Sequence, residues 1–401
     1  MSSLKGGALK GVRVLDLGTF LAGPHCATIL GEFGAEVIKV EPPKTGDSLR
    51  RLGTRTDCGD TLVWLSEARN KKCVTLNLAT ERGREVLREL AAKCDIIVEN
   101  FRPGTLEKWG LGYEELKKLN RGAILVRISA YGQDGPMRTQ PGFARIAHAF
   151  SGLTYLAGLP GGVPVVPGST SLADYMSGMY GAIGALVALK AREATGEGQC
   201  VDLALYESVF RVLDEIAPAY QKFGYVRERM GADTVNVCPH SHYETRDGKW
   251  IAIACTSDAM FARLADVMQQ PELASAERYG PQALRLDARD EVNAIVAKWV
   301  ASLDLETVLQ RCKDGGVPAS LIYSIADIFE DPQYRARGNI KMTDSRAGAL
   351  AVPDVVPRLS QTPGEIRWLG EGLGSANDDI YRGLLGLRDD EITQMRDAGV
   401  I

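Results

Sequence analysis

The sequence lacks several signatures that would place it quickly, and each absence excludes something. Its eight cysteines, Cys26, Cys58, Cys73, Cys94, Cys200, Cys238, Cys255 and Cys312, are scattered, with no C-x-x-C pair. Neither a zinc framework nor a disulfide scaffold is expected from such spacing, and reduced thiols in a cytoplasmic protein are. Only four histidines occur, His25, His148, His240 and His242. The His-x-His pair has no matching carboxylate cluster, so no metal site is expected. No G-x-S-x-G elbow is present, which removes the serine hydrolase class. The turn after the first strand pattern, Gly18-Thr19-Phe20-Leu21-Ala22-Gly23-Pro24, is not G-x-G-x-x-G. A nicotinamide or flavin dinucleotide is therefore disfavoured, because its pyrophosphate needs those glycines for close approach. The formal net charge of -4 argues against a broad nucleic-acid surface, so an anionic ligand must be held by a local site. Residues 1–7 lack the apolar core of a signal peptide.

What is present is an ordinary globular composition, 45% hydrophobic and 24% charged, over 401 residues, which is long enough for two domains. The first third alternates strand and helix patterns. Strand-like runs fall at 12–17, 37–40, 73–76, 96–98 and 124–128. Helical periodicity falls at 81–93, where Val86, Leu87, Leu90 and Ala91 share a face, and at 106–119. That alternation predicts an α/β fold with a parallel sheet covered by helices. Gly/Pro-rich loops follow at 132–142 and 158–168, then an apolar run at 172–189. That run carries Asp174 near one end and contains Ser177, Gly178, Gly181 and Gly184, so a buried helix packed through small residues fits better than a membrane span. Patterns at 241–245 and 250–254, joined by Arg246-Asp247-Gly248-Lys249, predict a hairpin, and helical patterns follow from 258 to 313. The expected organisation is a large domain of residues 1–224 plus 331–401 and a small α+β domain of residues 225–330.

Asp174 admits two readings. Ser171-x-x-Asp174 fits a capping box, in which Asp174 only closes a helix end. Alternatively, the positive end of the helix dipole keeps the carboxylate ionised, and the adjacent Gly/Pro loop lets a substrate approach it.

A series of blocks, in order, bears on that choice. They are Gly11-Val12-Arg13-Val14-Leu15-Asp16, Ala22-Gly23-Pro24, Gly34-Ala35-Glu36-Val37-Ile38-Lys39-Val40-Glu41, Asn70-Lys71-Lys72, and Val98-Glu99-Asn100-Phe101-Arg102-Pro103-Gly104. Ala173-Asp174, Thr195-Gly196-Glu197-Gly198-Gln199 and Val356-Pro357-Arg358-Leu359-Ser360 complete the set. Along almost its whole length the chain resembles the class III CoA-transferases, the family of the formyl-CoA and carnitine CoA-transferases. The resemblance implies a Rossmann-like large domain plus a smaller domain, two chains interlocked as a dimer, and no permanently bound cofactor. Coenzyme A or acyl-CoA enters as substrate. It places the catalytic nucleophile on Asp174. It places CoA contacts on Leu21 and Ala22, on Leu76, Asn77, Leu78 and Ala79, on Asn100, Phe101 and Arg102, and on Lys108. Arg102 and Lys108 suit phosphate recognition.

The chain departs from the formyl-CoA transferases at three places. Pro42 follows Glu41 where some members have an Arg, Pro141-Gly142-Phe143-Ala144 replaces a Lys-Ala-Tyr-Glu run, and their glycine-rich small-domain loop is missing. Oxalate and formate are thereby disfavoured. Members with similar middle sections use succinyl-CoA and a dicarboxylic acid such as malate, citramalate or benzylsuccinate, and that is the substrate expectation. Racemases of the same fold use a His in a Gly-His-Asp run, where this chain has Gly142-Phe143-Ala144; only His148, a helical turn on, keeps that alternative open. The other alternative is a non-catalytic CoA-binding subunit of a heteromer. The expected partners are acyl-CoA, a carboxylic acid, and a second copy or a related subunit, with no nucleic acid and no membrane.

Overall fold

The computed structural model describes residues 7–401; residues 1–6, most of the stretch read for a signal core, lie outside the described residues. The chain forms two compact units. One runs up to Leu153 and includes Gly168–Glu215 and Arg335–Ile401; the other comprises Thr154–Pro167 and Ile216–Tyr334.

The first unit is built on six strands, β1 (Arg13–Asp16), β2 (Glu36–Glu41), β3 (Lys71–Thr75), β4 (Ile96–Glu99), β5 (Ile124–Ser129) and β6 (Cys200–Ala204). All are parallel, in the order β3-β2-β1-β4-β5-β6. The near-continuous apolar runs of the strands reflect burial on both faces. On one face Leu15, Ile38, Ile97 and Leu125 pack with Val86, Leu87 and Leu90 of the helix Glu81–Ala92. On the other, Val14, Val37, Ile96, Ile124 and Val126 meet Leu30 of helix α1 (Ala22–Glu32) and Ala182 and Ala185 of the long helix Leu172–Thr195. The C-terminal tail completes the first of these cores with Ile380, Tyr381, Ile392 and Met395, and Tyr381 donates its hydroxyl to the Thr75 carbonyl at 2.6 Å.

Two expectations change in this unit. The helix read over 106–119 is two short helices, Thr105–Lys108 and Tyr113–Leu119, because Gly110 between them takes a left-handed φ of 69°. The helix Leu172–Thr195 is buried on one face only. Ala173, Ser177, Gly178, Gly181, Ala182, Ala185 and Ala188 face inward, while Met179, Ile183, Leu186 and Val187 are 42–61% exposed. Among the described residues it is the one helix long and apolar enough to cross a membrane. Its glycines explain how it lies so close to α1. A Cβ on Gly178 would stand 2.9 Å from His25 Cδ2 and 3.0 Å from the Ala22 carbonyl oxygen, and one on Gly181 3.2 Å from Cys26 Sγ.

The second unit contains the hairpin β7 (His240–Glu244) and β8 (Trp250–Ala254), with β9 (Ala319–Leu321) antiparallel to β8. Helices Asp258–Val267, Arg289–Ala301 and Leu305–Asp314 supply Phe261, Leu264, Val292, Val296, Val300 and Val308 to a core around Ile251 and Ile253. This unit begins at Ile216 rather than at 225, and it takes in the loop after Leu153. The reason is local pairing: Arg229 donates to the Tyr155 carbonyl at 2.8 Å, the Tyr155 hydroxyl donates to Glu228 at 2.5 Å, and Gly231 N–H donates to the Gly158 carbonyl at 2.9 Å.

The packing of α1 against the long helix is testable. Gly178→Val should lower stability by about 1–3 kcal/mol, the usual cost of inserting methyl groups into a filled contact. Urea denaturation measures it, and an unchanged midpoint would show that the two helices are not locked together at that point.

Candidate active site

In the order 3-2-1-4-5-6, β1 and its neighbour β4 send their following segments to opposite sides, which opens a crevice at their carboxyl ends. A cleft of about 260 Å³ lies there. Residues 19–22 after β1, 100–103 after β4, 128–130 at the end of β5 and Leu205 after β6 line it, together with Arg138, residues 140–143 and Asp174.

The turn after β1 is held by buried charge. Asp16, at the end of β1, accepts from Gly18 N–H at 3.0 Å and from Lys71 Nζ at 2.8 Å. Lys39 donates to the Gly18 carbonyl and lies 2.9 Å from Asp47. Asp47 in turn accepts from Phe20 N–H at 3.1 Å. Burial alone would push the Lys39 ammonium down, but Asp16, Asp47 and Glu41 hold it above its ordinary range. Burial would likewise raise Asp47, and Lys39 with the Leu49 and Phe20 N–H groups holds it below. These contacts keep Phe20 at φ 59°, a left-handed conformation that a bulky residue adopts only under constraint. From the other side Asn100 clamps Thr19, accepting its N–H and donating to its carbonyl, both at 2.8 Å. The next residue, Phe101, gives its N–H to Glu99, itself paired with Arg127 at 2.6 Å.

Asp174 sits in the first turn of the long helix, but not in a capping box. Ser171 occupies the N-cap without a side-chain cap hydrogen bond. The acceptor comes instead from a distant residue: Ala173 N–H donates to His148 Nε2 at 3.0 Å. His148 is buried, and burial, with Arg145 nearby, depresses its pKa and keeps it neutral. An imidazole accepting at Nε2 carries its proton at Nδ1. It therefore has no lone pair to receive a proton from a substrate, and it does not line the cleft.

The Asp174 carboxylate has no hydrogen bond or ion pair among the described residues, and burial pushes it up to about 6. This reverses the expected direction. A helix dipole contributes about 0.3–1 kcal/mol, whereas a rise from near 4 to about 6 corresponds to about 3 kcal/mol. Desolvation prevails. Near neutrality the group is still mostly anionic.

A model of the CoA-transferase family III matches residues 9–375. The chain belongs to that family. It is 53% identical over 395 residues to the alpha subunit of succinyl-CoA--L-malate CoA-transferase from Chloroflexus aurantiacus, covering 98% of this chain and 92% of that one. It is also 53% identical over 396 residues to the beta subunit, covering 98% of each chain. A crystal structure of a CAIB/BAIF family protein from Brucella suis superposes with a TM-score of 0.83 at 31% identity, over 95% of this chain and all of that one.

Five of the residues expected to contact CoA, Leu21, Ala22, Asn100, Phe101 and Arg102, line the same cleft as Asp174. The other five do not. Leu76 is fully buried in the sheet core, and Asn77 N–H donates to the Val400 carbonyl at 2.7 Å. Leu78 and Ala79 lend their carbonyls to Arg84, and Lys108 is the exposed last residue of a short helix. Asn100 has its amide fully engaged by Thr19, so its side chain orients the turn. The clamp residues Lys39, Asp47 and His148 were not read as site residues. Phe20 and Asp47 are 27 residues apart, and His148 and Ala173 25 apart, so nothing local in the sequence marked these pairs.

Two outcomes follow for this transferase. With Asp174 as the nucleophile, kcat/KM is expected to be level above pH 7 and to fall as pH drops through about 6, since the carboxylate would have to be the anion; a pH–rate profile from 5 to 8 checks this. Removing the acceptor in His148→Ala should cost about 0.5–2 kcal/mol, as loss of an N-cap does. It should also lower kcat more than it raises KM, while His148→Gln, which keeps an acceptor oxygen, recovers much of both.

Proposed function

We propose that this protein transfers coenzyme A from succinyl-CoA to a dicarboxylic acid, with Asp174 as the covalent nucleophile. The observation that carries the proposal is an unpaired carboxylate lining a cleft at the carboxyl ends of the sheet. A half-buried carboxylate kept without a partner is costly to the fold, which favours a chemical role over a structural one. The substrate class is supported by the two malate transferase subunits, each 53% identical to this chain over nearly its full length.

In the proposed sequence an Asp174 oxygen attacks the thioester carbonyl carbon. The C–S bond breaks and CoA leaves as thiolate, giving a mixed anhydride. The thiolate then attacks the aspartyl carbonyl, the donor acid leaves as carboxylate, and an aspartyl-CoA thioester remains. The acceptor carboxylate attacks that thioester, and the two steps run in reverse to release the new acyl-CoA and free Asp174. One difficult exchange becomes several easier ones. No general base is required, because the nucleophile is already anionic. Residues 21, 22 and 100–102 would hold the CoA thioester at the cleft, with Arg102 binding a phosphate and Lys108 reaching the rest of the nucleotide, whereas Leu76, buried in the core, is left without that role. No permanently bound cofactor enters this scheme.

We place the enzyme in the cytoplasm, as a homodimer. The exposed Met179, Ile183, Leu186 and Val187 recur at helical spacing and form an apolar stripe fit for a protein partner. Equal identity to an alpha and a beta subunit favours one chain filling both positions over a dedicated half of a heteromer. The racemase alternative is weakened by the occupied Nε2 of His148.

The enzyme incubated with succinyl-CoA and then treated with hydroxylamine or borohydride should yield a modified peptide at Asp174 by mass spectrometry. Asp174→Asn should abolish transfer and leave the melting temperature equal or higher at pH 7, since it removes a desolvated charge. Full activity in that variant, or trapping on another residue, would return Asp174 to a structural role.

A further inference from the structure

The charge balance of the cleft points to how the acyl group is chosen; this inference rests on the dicarboxylate reading above. The lining holds one acid, Asp174, and two guanidinium groups, Arg102 and Arg138. Elsewhere in the same unit the buried arginines Arg50 and Arg127 are paired with Glu41 and Glu99 at 2.7 and 2.6 Å. Among the described residues neither Arg102 nor Arg138 has a side-chain hydrogen bond or ion pair. A cleft with two free cations and one anion leaves positive charge to be met by the ligand. Arg102 follows β4 in the segment given above to CoA. Arg138 belongs to no CoA-contact block, and it has no role yet.

The loop that carries Arg138 is built to present it. Its base is pinned to the sheet: Gly132 N–H donates to Ser129 Oγ at 3.0 Å, and Gln133 N–H to Asp202 at 3.1 Å. Its two ends close on each other so tightly that a Cβ on Gly142 would stand 2.7 Å from the Ala130 Cβ. Between them a turn closes with Gln140 N–H on the Met137 carbonyl at 2.8 Å. A long cationic side chain thus projects from a closed loop at the wall of the cleft that contains the nucleophile. A cation there suits the chemistry. A succinyl group brings a second carboxylate into a cleft with an anionic Asp174, and like charges so near each other oppose both binding and ionisation of the nucleophile. A guanidinium receives a carboxylate by two parallel hydrogen bonds and offsets that repulsion.

We propose that Arg138 determines substrate specificity by binding the distal carboxylate of the dicarboxylic acyl group and of the acceptor. The experiment compares kcat/KM for succinyl-CoA and butyryl-CoA, with one acceptor, in wild type, Arg138→Gln, Arg138→Lys and Arg102→Gln. Charge-assisted hydrogen bonds contribute about 1.5–3 kcal/mol, so the succinyl-to-butyryl ratio should fall about 10- to 100-fold in Arg138→Gln. It should recover in part in Arg138→Lys, which keeps the charge and loses the fork. Arg102→Gln should lower both donors alike. The same ratio is read independently from inhibition by free succinate against free butyrate. An active wild type with an unchanged ratio in Arg138→Gln, or an equal loss on both donors, overturns the inference and makes Arg138 either idle or a CoA contact. A wild type that transfers nothing from succinyl-CoA instead overturns the substrate reading, and this inference with it.

Discussion

Two buried ammonium groups, Lys39 within β2 and Lys71 at the start of β3, converge on Asp16 at the end of β1 and brace the turn that walls the cleft. Each sits among acceptors that share its charge: Asp16 and Asp47 for Lys39, Asp16 and the Pro24 carbonyl for Lys71. Breaking one partner of such a buried set costs about 3–5 kcal/mol, because the remaining charge is left uncompensated. The strain at Phe20 is sustained by this arrangement, since Asp47 accepts the Phe20 N–H and is itself held by Lys39. A pocket wall made of backbone, without a glycine-rich loop, therefore depends on charges placed behind it.

The second constraint is the approach of the long helix to α1. Gly178 and Gly181 allow contact with His25, Ala22 and Cys26 that a side chain would crowd. That approach delivers the first turn of the helix, and Asp174, to the cleft. His148 then takes the Ala173 N–H, so the helix end is closed from a separate helix and not by its own N-cap serine. Among the described residues the Asp174 carboxylate is left free of partners. Its position is set by groups on either side of it in the chain, while the carboxylate itself stays available and partly desolvated. Desolvation moves its pKa toward 6, which makes the anion more basic than an ordinary carboxylate. Fold stability is reduced there.

Much of this was legible in the residues. The apolar runs at 37–40, 96–98 and 124–128 are too short and too continuous for surface helices, and they became central parallel strands. The Arg246-Asp247-Gly248-Lys249 turn between alternating runs became a hairpin. The blocks around Asn100 and Ala173-Asp174 led to the family, and part of the expected contact set converges on one cleft. What misled were local signals with a non-local answer. Ser171-x-x-Asp174 has the spacing of a capping box, yet a histidine 25 residues away supplies the acceptor. The loop after Leu153 reads as a link to the long helix, yet Tyr155 and Gly158 pair with residues near 230.

The sequence by itself determined the periodicities, and so the parallel α/β sheet, the hairpin unit and the family III membership with Asp174 as its candidate nucleophile. These are properties of neighbours in the chain, or of residue order, and they survive without coordinates. Only the tertiary structure decided which charges face each other and which groups are dry. Lys39 with Asp47, His148 with Ala173, Asn100 with Thr19, and the unpartnered guanidinium of Arg138 in the cleft of Asp174 all depend on segments far apart in sequence meeting at one sheet edge. The sign of the Asp174 shift followed from the same cause, because a helix dipole is set by the local chain, whereas burial is set by everything packed around it.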